Sequence, residues 1–355
     1  MPVTTTSKHD SAGWRNVPKQ SKPVDQKRVQ ELLEKEWARF EASTKASGDH
    51  NKKASKVLPL GVTSSFQHWD PYPISIVSAK GAYLTDVDGR KLLDLSMGFG
   101  AMLVGHLNPK VIKKVKKAIR STGTLFVTPS PTATDVAEKF KKRFDLDMLR
   151  FTNSGTEANL MALALATHHT DRSKIIVFEN GYHGGVLTFG THSNPINVPH
   201  DWVVLPYNDV DAARSAFATH AEDIAAVLVE PMQGSGGCIP GDPAFLTALR
   251  TLCTESGALL IFDEVMTSRF ARGGAQQLLG ITPDLTTLGK YLAGGLTFGA
   301  FGGRRDVMVA FDPTAGGALG HAGTFNNNVT SMAAGVAALT EVLTDERLDA
   351  TNTRG

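Results

Sequence analysis

Residues 258–290 constrain this chain most, because they put an acidic residue at the end of one apolar strand and a lysine at the end of the next. The segment ALLIFDEV reads as a buried strand running out into Asp263 and Glu264, and PDLTTLGK as a shorter strand ending in Gly289 and Lys290. The two groups stand 27 residues apart, close to the roughly 30 residues of a βαβ unit. Both side chains should therefore emerge at the carboxyl edge of one parallel sheet, where open α/β sheets place their ligands.

An aspartate and a lysine at one edge would also serve as a plain ion pair. The small-residue run Leu292, Ala293, Gly294 and Gly295 after Lys290 argues for more, since it leaves room for a bulky planar partner and little water. Desolvation lowers an amine pKa, and a lowered pKa makes lysine a nucleophile toward carbonyls. An aldehyde cofactor bound through that amine, its ring nitrogen paired to a buried aspartate, would use both residues.

The flanking chain supplies a sheet for that edge. Residues 1–24 are polar and proline-punctuated and read as disordered, with an organellar transit segment as the alternative. An amphipathic helix is expected over 25–46, with Val29, Leu32, Leu33, Trp37 and Phe40 at helical spacing, then a polar break over 49–56. Residues 74–95 read as short strands around an Asp88-Gly89 turn, and Pro109 opens a basic helix over 110–121. From residue 132 helices and strands alternate: helices over 135–144, 157–169, 210–220 and 243–256, strands over 148–152, 174–178, 202–205, 225–230 and 258–262. This is the rhythm of a parallel sheet covered by helices on both faces. A helix over 328–343 and a polar tail to Gly355 close the chain. The expected division is 1–57, 58–108, 109–345 and 346–355.

Other strand ends deliver polar groups to the same rim. The strand LRFTN runs into Ser154, Gly155 and Thr156 at a helix start, which suits a phosphate dianion and equally a plain N-cap. After KIIVF come Tyr182 and His183, framed by glycines, as a platform for a planar ring or as a capped turn. After AAVLV come Glu230 and Gln233, able to orient a cofactor hydroxyl or a substrate, with a structural ion pair as the other reading of Glu230. There is no GxxxxGK[ST] and no HExxH, and His168 and His169 are not spaced to share a metal on one helix face. No metal is expected.

As an ordered set, NSGTEA (153–158), YHG (182–184), EPMQG (230–234), FDEVMTSR (262–269), TTLGK (286–290) and GTFNNN (323–328) resembles the class III pyridoxal-phosphate-dependent aminotransferases of fold type I. The chain is most similar to their β-amino-acid (β-phenylalanine-type) members and, more distantly, to glutamate-1-semialdehyde 2,1-aminomutase. The resemblance implies an α/β fold with a mostly parallel seven-stranded sheet, helices on both faces, an N-terminal segment and a C-terminal small domain cut short here. It implies pyridoxal 5'-phosphate held by Lys290 as a Schiff base, with Asp263 on the ring nitrogen. Ser154, Gly155 and Thr156 would hold the phosphate, Tyr182 and Val265 would cover the two ring faces, and His183 and Glu230 would line the same site. Thr324 would reach the phosphate of a neighbouring subunit, making a homodimer part of the site.

For substrate, the resemblance implies an amino donor and an oxo-acid acceptor. Relatives carry an arginine for the substrate carboxylate in the loop matching 58–67, where this chain has Ser65; Gln67, His68 or another donor would then take over, with Gln233 a further contact. Three readings follow: ping-pong transamination on Lys290, an aminomutase acting within one substrate, and a shortened chain that keeps the fold without turnover. A net charge of +2 points to neither nucleic acid nor membrane surface, and two cysteines, Cys238 and Cys253, make no disulfide framework. The cytoplasm is the expected compartment.

Overall fold

The computed structural model describes residues 25–191 and 193–354, so the polar opening over 1–24 lies outside the described residues. The described residues form two units, 25–78 with 84–92 and 79–83 with 93–354.

In the first unit, α1 (Gln26–Ser43) starts where the Asp25 carboxylate accepts the Arg28 N–H at 3.1 Å. Its apolar stripe of Val29, Leu32, Leu33 and Trp37 stays largely exposed. The polar break expected over 49–56 is instead mostly helical, as α2 (Lys45–Ala54). Its start is capped from a distance. Asp88 accepts from the backbone N–H of Ala46 at 2.7 Å and of Ser47 at 3.1 Å, and from the Ser47 hydroxyl at 2.7 Å. A carboxylate on free N–H groups at a helix start is favourable, and no window of local sequence displays a cap some 40 residues away. Strands β1 (Ile76–Lys80), β2 (Tyr83–Asp86) and β3 (Lys91–Leu93) form one sheet in that order.

The second unit carries the expected alternation. It runs α3 (Pro109–Ser121), α4 (Pro131–Phe144), β4 (Met148–Thr152), α5 (Gly155–Thr170), β5 (Lys174–Phe178), β6 (Asp201–Leu205) and α6 (Val210–His220). It continues with β7 (Ile224–Val229), the hairpin β8 (Met232–Gln233) and β9 (Ile239–Pro240), α7 (Pro243–Ser256), β10 (Leu259–Asp263), α8 (Gly274–Leu279) and β11 (Leu285–Gly289). Last come β12 (Gly299–Gly303), α9 (Arg305–Met308), α10 (Val329–Ala337) and α11 (Asp345–Arg354). Seven strands make one sheet in the order β4-β12-β11-β10-β7-β5-β6, with β12 antiparallel to both neighbours. The members β11, β10, β7, β5 and β6 pair in parallel.

Strand periodicity explains why both faces are apolar. Ile175 and Val177 of β5 join a core built on α5, while Ile176 and Phe178 join one built on α6 and α7. A third core gathers Phe140, Phe144, Leu288, Phe298 and Met332. Strand β12, GAFGG, carries almost no apolar pattern. It has to be glycine-rich: a Cβ at Gly299 would overlap the Ser154 carbonyl and the Thr152 hydroxyl, and one at Gly303 would overlap the Asp284 carbonyl. The end of the chain departs from expectation too. The polar tail forms α11, where Leu348 is buried, Asn352 Nδ2 donates to the Phe270 carbonyl at 2.7 Å, and Asp345 pairs with Arg272 at 3.0 Å. One buried leucine is too weak a periodic signal to announce a helix.

Gly299→Ala should destabilise the chain by about 2 kcal/mol through overpacking, whereas Gly316→Ala, which meets nothing within 4 Å, should be close to neutral. Urea unfolding of the two variants compares them directly, and equal midpoints would remove the packing explanation for β12.

Candidate active site

Five strand ends meet at the carboxyl edge of the large sheet: those of β4, β11, β10, β7 and β5. Because β12 runs antiparallel between β4 and β11, those two strands point the same way. The sheet therefore aligns Ser154, Lys290, Asp263, Glu230 and Tyr182 along one rim. Asp263 pairs in register with Thr287, three residues before Lys290.

Asp263 is the electrostatic centre. Its side chain is buried, and Oδ2 accepts from His183 Nδ1 at 2.8 Å and from Asn159 Nδ2 at 2.8 Å, while Oδ1 accepts from the Val265 N–H at 3.0 Å. Burial alone would raise its pKa. The His183 hydrogen bond and charge, the Val265 N–H and the Lys290 charge outweigh burial and hold the carboxyl below its ordinary value. A carboxylate offers about four acceptor positions, and three are filled. One remains on Oδ1 for a ligand N–H.

Lys290 follows the last residue of β11 in the left-handed region, at φ 52°. A non-glycine residue there carries strain on the order of 1 kcal/mol. Burial lowers its amine pKa, helped by the Arg269 charge and opposed by Asp263 and Glu230. The simple ion pair with Asp263 is not formed: Asp263 pairs with His183, and the lysine amine makes no ion pair among the described residues.

The helix start at β4 is tightly built. Ser154 Oγ accepts the Glu157 N–H at 3.2 Å as an N-cap, and Glu157 Oε2 accepts the Asn153 N–H at 2.9 Å. The N–H groups of Gly155 and Thr156 belong to the first turn, which has no acceptor within its own helix. A Cβ at Gly155 would lie 2.8 Å from a Val265 methyl, and one at Gly184 would overlap the Thr156 side chain. The cradle thus lies against both Val265 and the turn bearing His183. Tyr182 is 44% exposed at the rim. These are the features a phosphorylated planar ring with a basic nitrogen requires: free N–H groups for the phosphate, an aromatic face, a buried carboxylate with an open acceptor position, and an unpaired amine.

Other expected residues take different positions. Glu230 accepts from the backbone N–H of Tyr182 and of Gly234, each at 3.0 Å, so it fastens two turns of the rim and forms no ion pair among the described residues. Burial raises its pKa, with the Asp263 charge adding to the effect against His183 and the two N–H groups. Gln233 is buried in the β8–β9 hairpin and donates to the Glu179 carbonyl at 2.6 Å. Ser65 and Gln67 belong to the first unit, on a short 3-10 turn (Ser65–Gln67), where Gln67 Oε1 accepts from Thr63 N, Ser64 N and the Thr63 hydroxyl. Thr324 is exposed beside a cavity of about 430 Å³ lined also by Thr128, Arg150 and His321. Asn153 Nδ2 donates to Asn326 Oδ1 at 3.0 Å, joining that loop to the cradle.

Asn159 and Thr287 are absent from the residues singled out by sequence. The available signal is an amide on the buried stripe of α5, among Ala158, Ala162 and Leu163.

Since the folded chain disfavours a charged Lys290, the unfolded chain binds more protons between the lowered value and the ordinary 10.5, and stability rises with pH across that window. Lys290→Met should raise the melting temperature of the cofactor-free chain near neutrality, with the gain shrinking as pH approaches the alkaline end. Calorimetry over a pH series reads this, and a constant gain would rule out desolvation of the amine as its source.

The chain as a whole is similar to known transaminating enzymes. Residues 65–354 match the model of the Aminotransferase class-III family. The chain is 48% identical to the beta-phenylalanine transaminase of Variovorax paradoxus over 331 residues, covering 92% of this chain and 75% of that protein. A crystal structure of a beta-phenylalanine aminotransferase from the same organism superposes with a TM-score of 0.89 at 47% identity, over 92% of this chain and 76% of that one. Glutamate-1-semialdehyde 2,1-aminomutase of Methanocaldococcus jannaschii is 41% identical over 308 residues, 82% of this chain and 71% of that protein. A solved transaminase with PLP bound superposes at a TM-score of 0.78 with 36% identity, over 83% and 73% of the two chains.

Proposed function

Because the chain belongs to the class III aminotransferases, fold type I enzymes that depend on pyridoxal phosphate, we propose that it moves an amino group from a β-amino acid to an oxo acid at the rim built on Asp263 and Lys290. The observation that carries this reading is the pairing of a fully buried carboxylate, one acceptor position open, with an unpaired, desolvated amine one strand away. The donor class is supported by the likeness to a beta-phenylalanine transaminase at 48% identity.

When bound, pyridoxal phosphate supplies an electron-withdrawing ring that disperses the charge left on a substrate carbon as its proton departs. The chain's own residues do the rest. Lys290 Nζ would hold the cofactor's aldehyde carbon and, as a free amine, would act as the base that takes the proton from the substrate carbon. Its lowered pKa keeps a larger fraction of the amine unprotonated at neutral pH. Asp263 Oδ1 would favour a proton on the ring nitrogen. Ser154, Gly155 and Thr156 would bind the phosphate, Tyr182 and Val265 would confine the ring, and His183 and Glu230 would hold their turns in place. Ser65, Gln67 and Gln233 are proposed as substrate contacts. Two copies would share the site through Thr324, which would bind the phosphate held by the neighbouring copy. The two cysteines, both unpaired, suit a reducing compartment such as the cytoplasm.

Borohydride reduction of the holoenzyme followed by peptide mapping should place the pyridoxyl tag on Lys290. Lys290→Ala should lower transamination by roughly a thousandfold or more. A variant that turns over at the wild-type rate would overturn the mechanism. Product accumulating over many turnovers per site from the amino donor alone, beyond the single equivalent that the first half-reaction releases without an oxo acid, would replace transamination by the aminomutase reading.

The shared site makes a second expectation. Sedimentation should give a dimer, and mixing Lys290→Ala with Thr324→Ala chains should restore part of the activity lost in each, because one hybrid site is then intact. Full activity in a monomer would remove the role of Thr324 on a neighbour.

A further inference from the structure

The mechanism above uses Asp263 but leaves open what aims it. Of its three donors, Val265 is a local backbone group and His183 comes from the turn after β5. The third, Asn159, comes from α5 and is itself fixed from a fourth element. Thr287 of β11 donates its hydroxyl to Asn159 Oδ1 at 2.6 Å, and Asn159 Nδ2 donates to both Asp263 Oδ2 at 2.8 Å and the His183 carbonyl at 2.9 Å. All four side chains are buried.

Only one orientation of that amide works. The carboxylate and the carbonyl are acceptors, so both N–H groups must face them and the oxygen must face the one donor present, the Thr287 hydroxyl. A flipped amide would set its oxygen against two acceptors. With Asn159 and His183 both on Oδ2, the carboxylate plane is fixed and the open position falls on Oδ1.

We infer that Asn159, locked by Thr287, is a positioning residue that aims the Asp263 carboxylate and reserves its Oδ1 for the nitrogen of the cofactor ring. The inference rests on the cofactor reading proposed above and adds to it the Thr287–Asn159 pair as the part that controls ring-nitrogen protonation. Losing the Asn159 donor makes the carboxylate itself a better proton acceptor, but it also frees the carboxylate to turn, and an Oδ1 turned away no longer supplies the counter-charge that keeps the ring nitrogen protonated. His183, Glu230, Glu264 and Lys290 are the other titratable groups acting on Asp263, and none is altered in the variants below.

The test follows the ring nitrogen directly. Holoenzyme is prepared with pyridoxal phosphate labelled with nitrogen-15 in the ring, and the nitrogen chemical shift is followed against pH, alongside cofactor affinity by fluorescence titration. Asn159→Ala and Thr287→Val should each lower the pH at which the nitrogen loses its proton by about one unit and weaken cofactor binding by about tenfold. Thr287→Ser keeps the hydroxyl and should restore both values, an effect that simple loss of packing would not give. Wild-type midpoint and affinity in Thr287→Val would overturn the inference, and the Val and Ser pair decides the matter even if Asn159→Ala fails to fold. Failure of the underlying reading looks different: a wild-type chain that binds no pyridoxal phosphate, or an Asp263→Ala variant with an unchanged midpoint, would overturn both.

Discussion

Burying the Asp263 carboxylate sets the terms for the rest of the second unit. Taking such an ion out of water costs several kcal/mol even after relaxation, and only charge-assisted hydrogen bonds of good geometry offset a cost of that size. The three donors come from three places in the chain: the backbone just after β10, the turn after β5 and the first turns of α5. Each must arrive within hydrogen-bond reach of one carboxylate. Gly184 next to Thr156, Gly155 next to Val265, and the glycines of β12 beside the end of β4 are the close approaches that allow it. The glycine pattern and the buried acid are therefore two sides of one packing problem.

The neighbouring acid shows how far environment divides two like groups. Glu264 is also fully buried, accepting from the Thr267 hydroxyl at 2.5 Å, the Gln276 N–H at 2.7 Å and the Ala275 N–H at 3.1 Å. Burial raises its pKa to about 7, with the Asp263 charge adding to the rise. Asp263 moves the other way, because its surroundings include His183 and the Lys290 charge where those of Glu264 hold only neutral donors. Adjacent carboxyl groups driven apart in this manner divide their tasks. Glu264 closes the start of α8, and Asp263 keeps its charge at the rim.

Legibility in the sequence followed the physics of each signal. Apolar runs gave β4, β5, β6, β7 and β10 nearly residue by residue, because burial on both sheet faces leaves little else they could be. Strand β12 was invisible, since steric crowding demands glycine and glycine carries no periodicity. Helix α2 was hidden because its cap, Asp88, is remote in sequence, and α11 because one leucine makes its only buried contact. The rim residues Asp263, Lys290, Ser154 and Tyr182 were found because strand ends can be counted from sequence. Asn159 and Thr287 were not, because their meaning lies in a hydrogen bond between α5 and β11, and a buried asparagine reads the same whether it binds a ligand or merely fills its own valences.

Stability and chemistry pull against each other most clearly at Lys290. The residue has a left-handed backbone, a desolvated amine and no direct ion pair among the described residues, three features that each oppose folding. The sheet tolerates them because Leu285, Leu288, Tyr291 and Leu292 on either side are almost wholly buried, anchoring β11 and the turn after it. Tyr291 adds a hydrogen bond to the Ser268 hydroxyl at 2.8 Å, which ties the lysine turn to the turn following Asp263. A relaxed lysine, paired to Asp263, would favour folding and leave neither group open to a ligand. Pairing Asp263 with His183 and Asn159 instead satisfies the acid without using the amine, so the same hydrogen bonds that allow the carboxylate to be buried also leave the lysine amine unpaired.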